Sequence, residues 1–245
     1  MHQDRFYIPD IPPATQGLWI EGREAHHILH VKRAKTGSKI TLFDGKGTEY
    51  LAHITEILDG KLKVSVERFQ AVDRESHVGI TIAFSVPKGK CVHILIQKCA
   101  ELGVSTLIPV HCKRSVVDVR NTPDVKIDKW KRIVIEASKQ CKRNILTKIE
   151  NVTTFDDLIK TVCGYDLSLI AYTGPDTRSL KNVLSEYPSV RKVFCLIGPE
   201  GGFTRDEVEK ARNAGIIPVS VGPSVLRIET AAIAVSSMLL YACSD

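Results

Sequence analysis

No stretch of this chain reaches the roughly 18 consecutive apolar residues that a membrane-spanning helix needs, and the opening MHQDRFYIPD lacks the apolar core of a secretory signal. A cytoplasmic protein with no membrane partner is expected. The seven cysteines (Cys91, Cys99, Cys112, Cys141, Cys163, Cys195 and Cys243) are odd in number, scattered and never spaced CxxC. That argues against a disulfide framework and against zinc, and for buried free thiols. Neither GxGxxG nor GxxxxGK[ST] occurs anywhere, which disfavours a nucleotide triphosphate held by either familiar loop. Internal repeats and low-complexity segments are absent too.

What is present is ordinary in bulk and uneven in detail. The 245 residues, 43% hydrophobic and 25% charged, suffice for one large domain or two modest ones. The net charge is +6, yet Lys113 to Lys148 alone carries eleven Lys/Arg against four Asp/Glu, more than the whole excess. The segment VKRAKTGSK concentrates four more cations. Such clusters suit a polyanion; a solvated helix face explains them equally well.

Two periodicities divide the chain. Up to about residue 72, KITLFDG, EYLAHITEIL and KLKVSVERF alternate apolar and polar positions around the turn signals DGKG and LDG. With a helical stretch ending at Gly37, this reads as a small β-barrel. After the polar QAVDRESH, strands such as VGITIAFSV, VSTLIPV, DLSLIAYTG, KVFCLIG and IIPVSVG alternate with helical segments. That pattern predicts a parallel sheet with helices on its faces.

The segment LIGPEGGFTRDEVEKA places a strand end, a glycine turn and a capped helix in succession. Thr204 and Glu207 have the spacing of a capping box, with Phe203 and Val208 as a hydrophobic staple. Gly198, Gly201 and Gly202 allow main chain to approach a ligand without an intervening Cβ. The acidic surroundings (Glu200, Asp206, Glu207, Glu209) fit a cationic ligand better than a phosphate. The alternative is a structural turn. A second segment, VSVGPSVLRIETAA, puts Arg227 and Glu229 among apolar residues at the start of a long helix, where they either face a site or form a surface ion pair.

Together with PKGKCVHILIQKCAELGV, WKRIVIEASKQCKRN, RFYIPD and HHILHVKRAKTGSKITLFDGKG, these segments resemble the bacterial ribosomal RNA small-subunit methyltransferase E family, in the SPOUT superfamily. One departure is RNILTKIE, where the family usually has a proline. The resemblance covers nearly the whole chain and implies an α/β fold: a PUA-like RNA-binding barrel over 1–72 and a SPOUT methyltransferase domain over 73–245, with a trefoil knot at about 168–245. It implies S-adenosyl-L-methionine as methyl donor, a homodimer, no metal, and N3 of a uridine in 16S ribosomal RNA as acceptor, on the assembled small ribosomal subunit. It places the donor against Tyr172, Thr173, Leu196, Gly198, Gly201, Val221, Gly222, Leu226 and Ile228. Arg227 is then the candidate for stabilising charge on a uracil oxygen, and Glu229 or Glu200 for taking the N3 proton. Arg5, Tyr7, His27, Arg33, Lys35, Arg114, Gln140 and Arg143 are candidate RNA contacts, with Phe6 or Tyr7 able to stack on a base. Competing readings are a non-catalytic RNA-binding factor and a different nucleotide-binding enzyme.

Overall fold

The computed structural model describes residues 4–12, 16–118 and 124–243. Residues 1–3, at the head of the segment read for a signal, and 244–245, at the end of the span expected to be knotted, lie outside these. Contacts divide the chain into two compact units, Met1–Glu75 with Ser138–Leu146, and Ser76–Ala137 with Thr147–Asp245.

The first unit contains β1 (Arg5–Tyr7), β2 (Gln16–Ile20), α1 (Gly22–His26), β3 (Lys39–Phe43), β4 (Thr48–Leu58) and β5 (Lys61–Ala71). They form one sheet in the order β1-β3-β4-β5-β2. The two turn signals act through different chemistry. Asp59 and Gly60 both have positive φ, 48° and 75°, which matches the twist of a tight hairpin between β4 and β5. In the other turn the Asp44 carboxylate accepts the N–H groups of Lys46 and Thr48, at 2.7 and 3.1 Å. Register shifts at Leu51/Ala52 and Ile54/Glu56 bend β4 and β5. The sheet curls around Leu42, Ala52, Ile54, Leu62 and Val64, and Ala25 and Ile28 join this core from α1 and the turn after it. The expected barrel is not a closed one: among the described residues β1 and β2 remain unpaired edges, so the unit is a half-barrel.

The polar segment QAVDRESH, a linker by its composition, is tied down within this unit at Arg74 and Glu75. Arg74 pairs with Glu49 at 2.8 Å, and Glu75 pairs with Arg143 at 2.5 Å. Residues 138–146 belong here for the same reason. Asn144 donates to the Val72 carbonyl at 3.1 Å and accepts from Arg5 at 2.5 Å, while Lys139 meets Glu24 at 2.6 Å. The second unit is therefore not one continuous span from residue 73.

That unit comprises β6 (Gly79–Ser85), α2 (Cys91–Glu101), β7 (Thr106–His111), most of α3 (Asp124–Cys141), β8 (Lys148–Ile149), β9 (Thr153–Thr154), α4 (Phe155–Leu158), β10 (Leu167–Ala171), β11 (Arg178–Ser179), α5 (Leu180–Glu186), β12 (Lys192–Ile197), α6 (Arg205–Asn213), β13 (Ile217–Ser220) and α7 (Ile228–Cys243). Strand order is β11-β13-β10-β12-β6-β7-β8, with β9 beside β7, and all the pairings are parallel. Central strands are apolar on both faces because helices cover both: Val193 through Ile197 are all buried. Phe194 and Leu196 pack with α4 and α6 residues such as Phe155 and Val208, while α2 and α7 lie side by side and α7 also touches β6 and β12.

Candidate functional site

Because these strands are parallel, their carboxyl ends gather along one side of the sheet, where ligands collect in such folds. The loops after β10, β12 and β13 meet there in a single cleft. Tyr172 and Thr173 line it from the first loop, Gly198 and Glu200 from the second, and Val221, Gly222 and Leu226 from the third, with Ile228 opening α7. Glu200 is the one charged side chain among the described residues lining it. Two residues expected in this set lie elsewhere. Leu196 is fully buried in β12 and faces the core of the sheet. Gly201 packs against Arg114, and a Cβ on it would come within 3.3 Å of the Arg114 Cβ.

The capping box forms as the sequence predicts, with Thr204 and Glu207 bonded reciprocally. It fixes the glycine loop to α6. The glycines themselves have reasons internal to the protein. A Cβ at Gly198 would fall 2.6 Å from the Phe203 ring, and Gly202 has φ 67°. Gly222 differs, with nothing within 4 Å of its added Cβ and no left-handed backbone.

Arg227 and Glu229 stand at the start of α7, the first exposed and the second half-buried, and Glu200 is exposed in the glycine loop. All three act electrostatically on a residue that the sequence offered only as one more buried thiol. Cys91, at the first position of α2, has its thiol raised above the ordinary range by burial, by a hydrogen bond with the Glu229 carboxylate and by the charges of Glu229 and Glu200, against an opposing effect of Arg227. The signal available in the sequence was the place of Cys91 directly after PKGK, at a helix start in one of the motif segments.

The RNA candidates separate by burial. Arg33 is exposed, with φ 53°, and Lys35 is exposed beside it on the turn closed by Ser38. Gln140 is exposed on α3, and Arg114 is exposed on the turn after β7. His27 is half-buried, edge-on to Phe6 at 5.7 Å, and Tyr7 is half-buried against Phe43 at 5.6 Å. Arg5 and Arg143 are not surface cations. Arg5 is clamped between Glu49 and Asn144 under the Phe43 ring, and the Arg143 side chain, 5% exposed, is paired with Glu75. Phe6 is 1% exposed and belongs to the core rather than to a stacking surface. Among the described residues no three His, Cys, Asp or Glu side chains gather as metal ligands; His26 stacks on His30 at 4.6 Å instead.

A model of the RNA methyltransferase domain matches residues 74–240, and one of the RNA methyltransferase PUA domain matches residues 20–67. The class is thereby set: an RNA methyltransferase whose α/β domain is preceded by a PUA unit. The ribosomal RNA small subunit methyltransferase E of Bacillus subtilis is 30% identical over 227 residues, 91% of this chain and 89% of that protein. The chain belongs to the ribosomal RNA small subunit methyltransferase E family. A methyltransferase from Legionella pneumophila, solved with bound S-adenosylmethionine, superposes with a TM-score of 0.92 at 31% identity, covering 100% of both chains. The family member from Neisseria gonorrhoeae, bound to S-adenosyl methionine, gives 0.89 at 29% identity over 100% of this chain and 99% of that one.

Proposed function

We propose that this protein transfers a methyl group from S-adenosyl-L-methionine to N3 of a specific uridine in 16S ribosomal RNA, on the assembled small subunit, as a cytoplasmic homodimer. The observation that carries the reading is the cleft where three strand ends meet, lined mostly by apolar residues, with Glu200 as its one charged side chain among the described residues. A cationic donor fits such walls; a polyphosphate does not. When bound, S-adenosylmethionine supplies an electrophilic methyl group on sulfonium. Main-chain groups of Tyr172–Thr173, Gly198 and Val221–Gly222 would hold it. The trefoil knot at about 168–245 belongs to the same proposal.

The acceptor nitrogen carries a proton at neutral pH and is a poor nucleophile until that proton leaves. Arg227, exposed beside the cleft, stabilises the negative charge that then develops on a uracil oxygen. Glu229 or Glu200 takes the N3 proton. Arg33, Lys35 and Arg114 supply phosphate contacts and Tyr7 a stacking face. Dimerisation is supported by apolar side chains left in solvent on adjacent helices: Ile94 on α2, 46% exposed, and Met238 and Tyr241 on α7, 40% and 90% exposed.

The test is incubation of the protein with methyl-labelled S-adenosylmethionine and small subunits from cells lacking the activity. Mass spectrometry of the digested RNA is expected to show new 3-methyluridine, and its absence overturns the assignment.

A further inference from the structure

Glu207 caps its own helix, yet its carboxylate reaches further than a cap requires. The residue is 2% exposed. Oε2 accepts from the Thr204 N–H at 2.8 Å and from the Thr204 hydroxyl at 2.9 Å. Oε1 accepts the backbone N–H of Lys113 at 2.8 Å, from a loop 94 positions away in sequence. That loop follows β7 and is a closed turn: the Cys112 N–H donates to Ser115 Oγ at 2.8 Å, and the Ser115 N–H donates back to the Cys112 carbonyl at 3.1 Å. The two hydroxyls of Ser115 and Ser85 share a hydrogen bond of 2.9 Å, which ties the turn to the end of β6. A buried carboxylate oxygen must be satisfied, and here a distant main-chain donor does it, so the same carboxylate fixes two loops at once.

What the turn presents is Arg114. Its side chain is exposed apart from one Nη1–H donated to the Gly201 carbonyl at 3.0 Å. Gly201 sits between Glu200 and Gly202, both in the cleft lining. A guanidinium carries five N–H donors in a rigid fork; with one of them held by main chain, the remainder faces solvent at the lip of the cleft, pre-oriented for a phosphate. Lys113, the neighbouring cation, is engaged by Asp206 at 2.6 Å and does not compete for that role.

We propose that Glu207 is a positioning residue for the RNA: by holding the Cys112–Ser115 turn against the glycine loop, it presents Arg114 to the phosphate of the nucleotide being methylated. This rests on the methyl-transfer reading above.

The test measures steady-state methyl transfer, and RNA binding over a series of salt concentrations, for Glu207→Gln, Arg114→Ala and the double variant. Calorimetry supplies the affinity for S-adenosylmethionine. Glu207→Gln is expected to raise KM for the RNA by roughly ten- to a hundredfold, the range of one charged hydrogen bond, with cofactor affinity unchanged. It is also expected to lower the slope of log affinity against log salt by about 0.7 to 0.9, the value for one lost phosphate contact. A purely structural role does not give that result, since the variant keeps Arg114 and removes an anion, which by itself favours RNA. The double variant is expected to be no worse than Arg114→Ala, because the two residues act in series. An unchanged KM and salt slope, or effects that multiply in the double variant, overturn the proposal. Should Glu207→Gln not fold, Ser115→Ala loosens the same turn from its other side without touching the helix cap, and the same readouts decide. Failure of the wild-type protein to transfer any methyl group refutes the underlying reading instead, while the salt slopes still judge Glu207.

Discussion

One added methyl group, placed in turn at Gly198 and at Gly222, separates two reasons for a glycine. At Gly198 the new carbon would lie 2.6, 2.8 and 3.0 Å from three atoms of the Phe203 ring, against the 3.5–4.0 Å of an ordinary carbon contact. The ring cannot swing into solvent: Phe203 is 4% exposed and packs on Phe155 at a centroid distance of 6.1 Å. Such overpacking costs about 1–3 kcal/mol, and each kcal/mol lowers Tm by roughly 2–4 °C in a protein of this size. Gly198→Ala is therefore expected to melt measurably earlier by calorimetry, and Phe203→Leu on top of it to recover part of the loss. At Gly222 the added carbon meets nothing within 4 Å and the backbone is not left-handed, so Gly222→Ala should melt with the wild type. If main chain there approaches the donor closely, the same variant binds S-adenosylmethionine more weakly. Unaltered cofactor affinity in Gly222→Ala removes close approach as the reason for that glycine. An unaltered Tm in Gly198→Ala refutes the packing argument.

Other perturbations have equally definite outcomes. Arg227 is exposed, so Arg227→Ala should keep its Tm while turnover falls about 10²–10³-fold, as for a lost charge-stabilising donor; full turnover would take it out of the mechanism. Glu49→Gln leaves Arg5 inside the first unit without its carboxylate; denaturant melts should show a loss below the ceiling of about 3–5 kcal/mol for a broken buried pair, and no loss would mean the pair is idle. The folded Glu49 lies below its ordinary carboxylate range because hydrogen bonds from Arg74 and Arg5, with their charges, outweigh the opposing effect of burial. Its contribution is thus complete above the unfolded value and disappears as pH falls through the folded one, so the wild type should lose more stability than Glu49→Gln on acidification over that window. Arg33→Ala should reduce the salt slope of RNA binding by about 0.7–0.9 with Tm intact, whereas Arg143→Ala, which strips Glu75 of its buried partner, should lower Tm.

Local sequence rules carried much of this fold. The Asp59-Gly60 hairpin and the Thr204–Glu207 capping box form as their spacing predicts, since each depends on residues within about a turn of one another. One wall of the cleft was legible for a related reason, since glycines at a strand end mark a loop that a ligand can approach, while the other two loops came with the family resemblance. What escaped the sequence is long-range. Nothing local says that residues 138–146 close the first unit, or that Gly201 is a glycine because Arg114 lies over it. Cys91 was hidden similarly, since a thiol at a helix start acquires meaning only through the charges of Arg227, Glu229 and Glu200, which lie over a hundred residues further along the chain.

The cations show how far a charge count reaches. Lys113 to Lys148 holds more positive charge than the whole chain shows net, yet at least five of its eleven cations already have carboxylate partners: Lys113 with Asp206, Lys131 with Asp128, Lys139 with Glu24, Arg143 with Glu75 and Lys148 with Glu150. Two of these, Lys139 and Arg143, are buried pairs that bind residues 138–146 into the half-barrel. A paired, desolvated cation releases no counterion from RNA, so it adds nothing to the salt-dependent term that dominates such binding. On the proposed function the electrostatic footprint on RNA is accordingly smaller than composition implies, and the exposed Arg33, Lys35 and Arg114 would carry a larger share of it. The basic segment thus serves more than one end: Lys139 and Arg143 help assemble the half-barrel, while Arg114 donates to the Gly201 carbonyl beside the cleft.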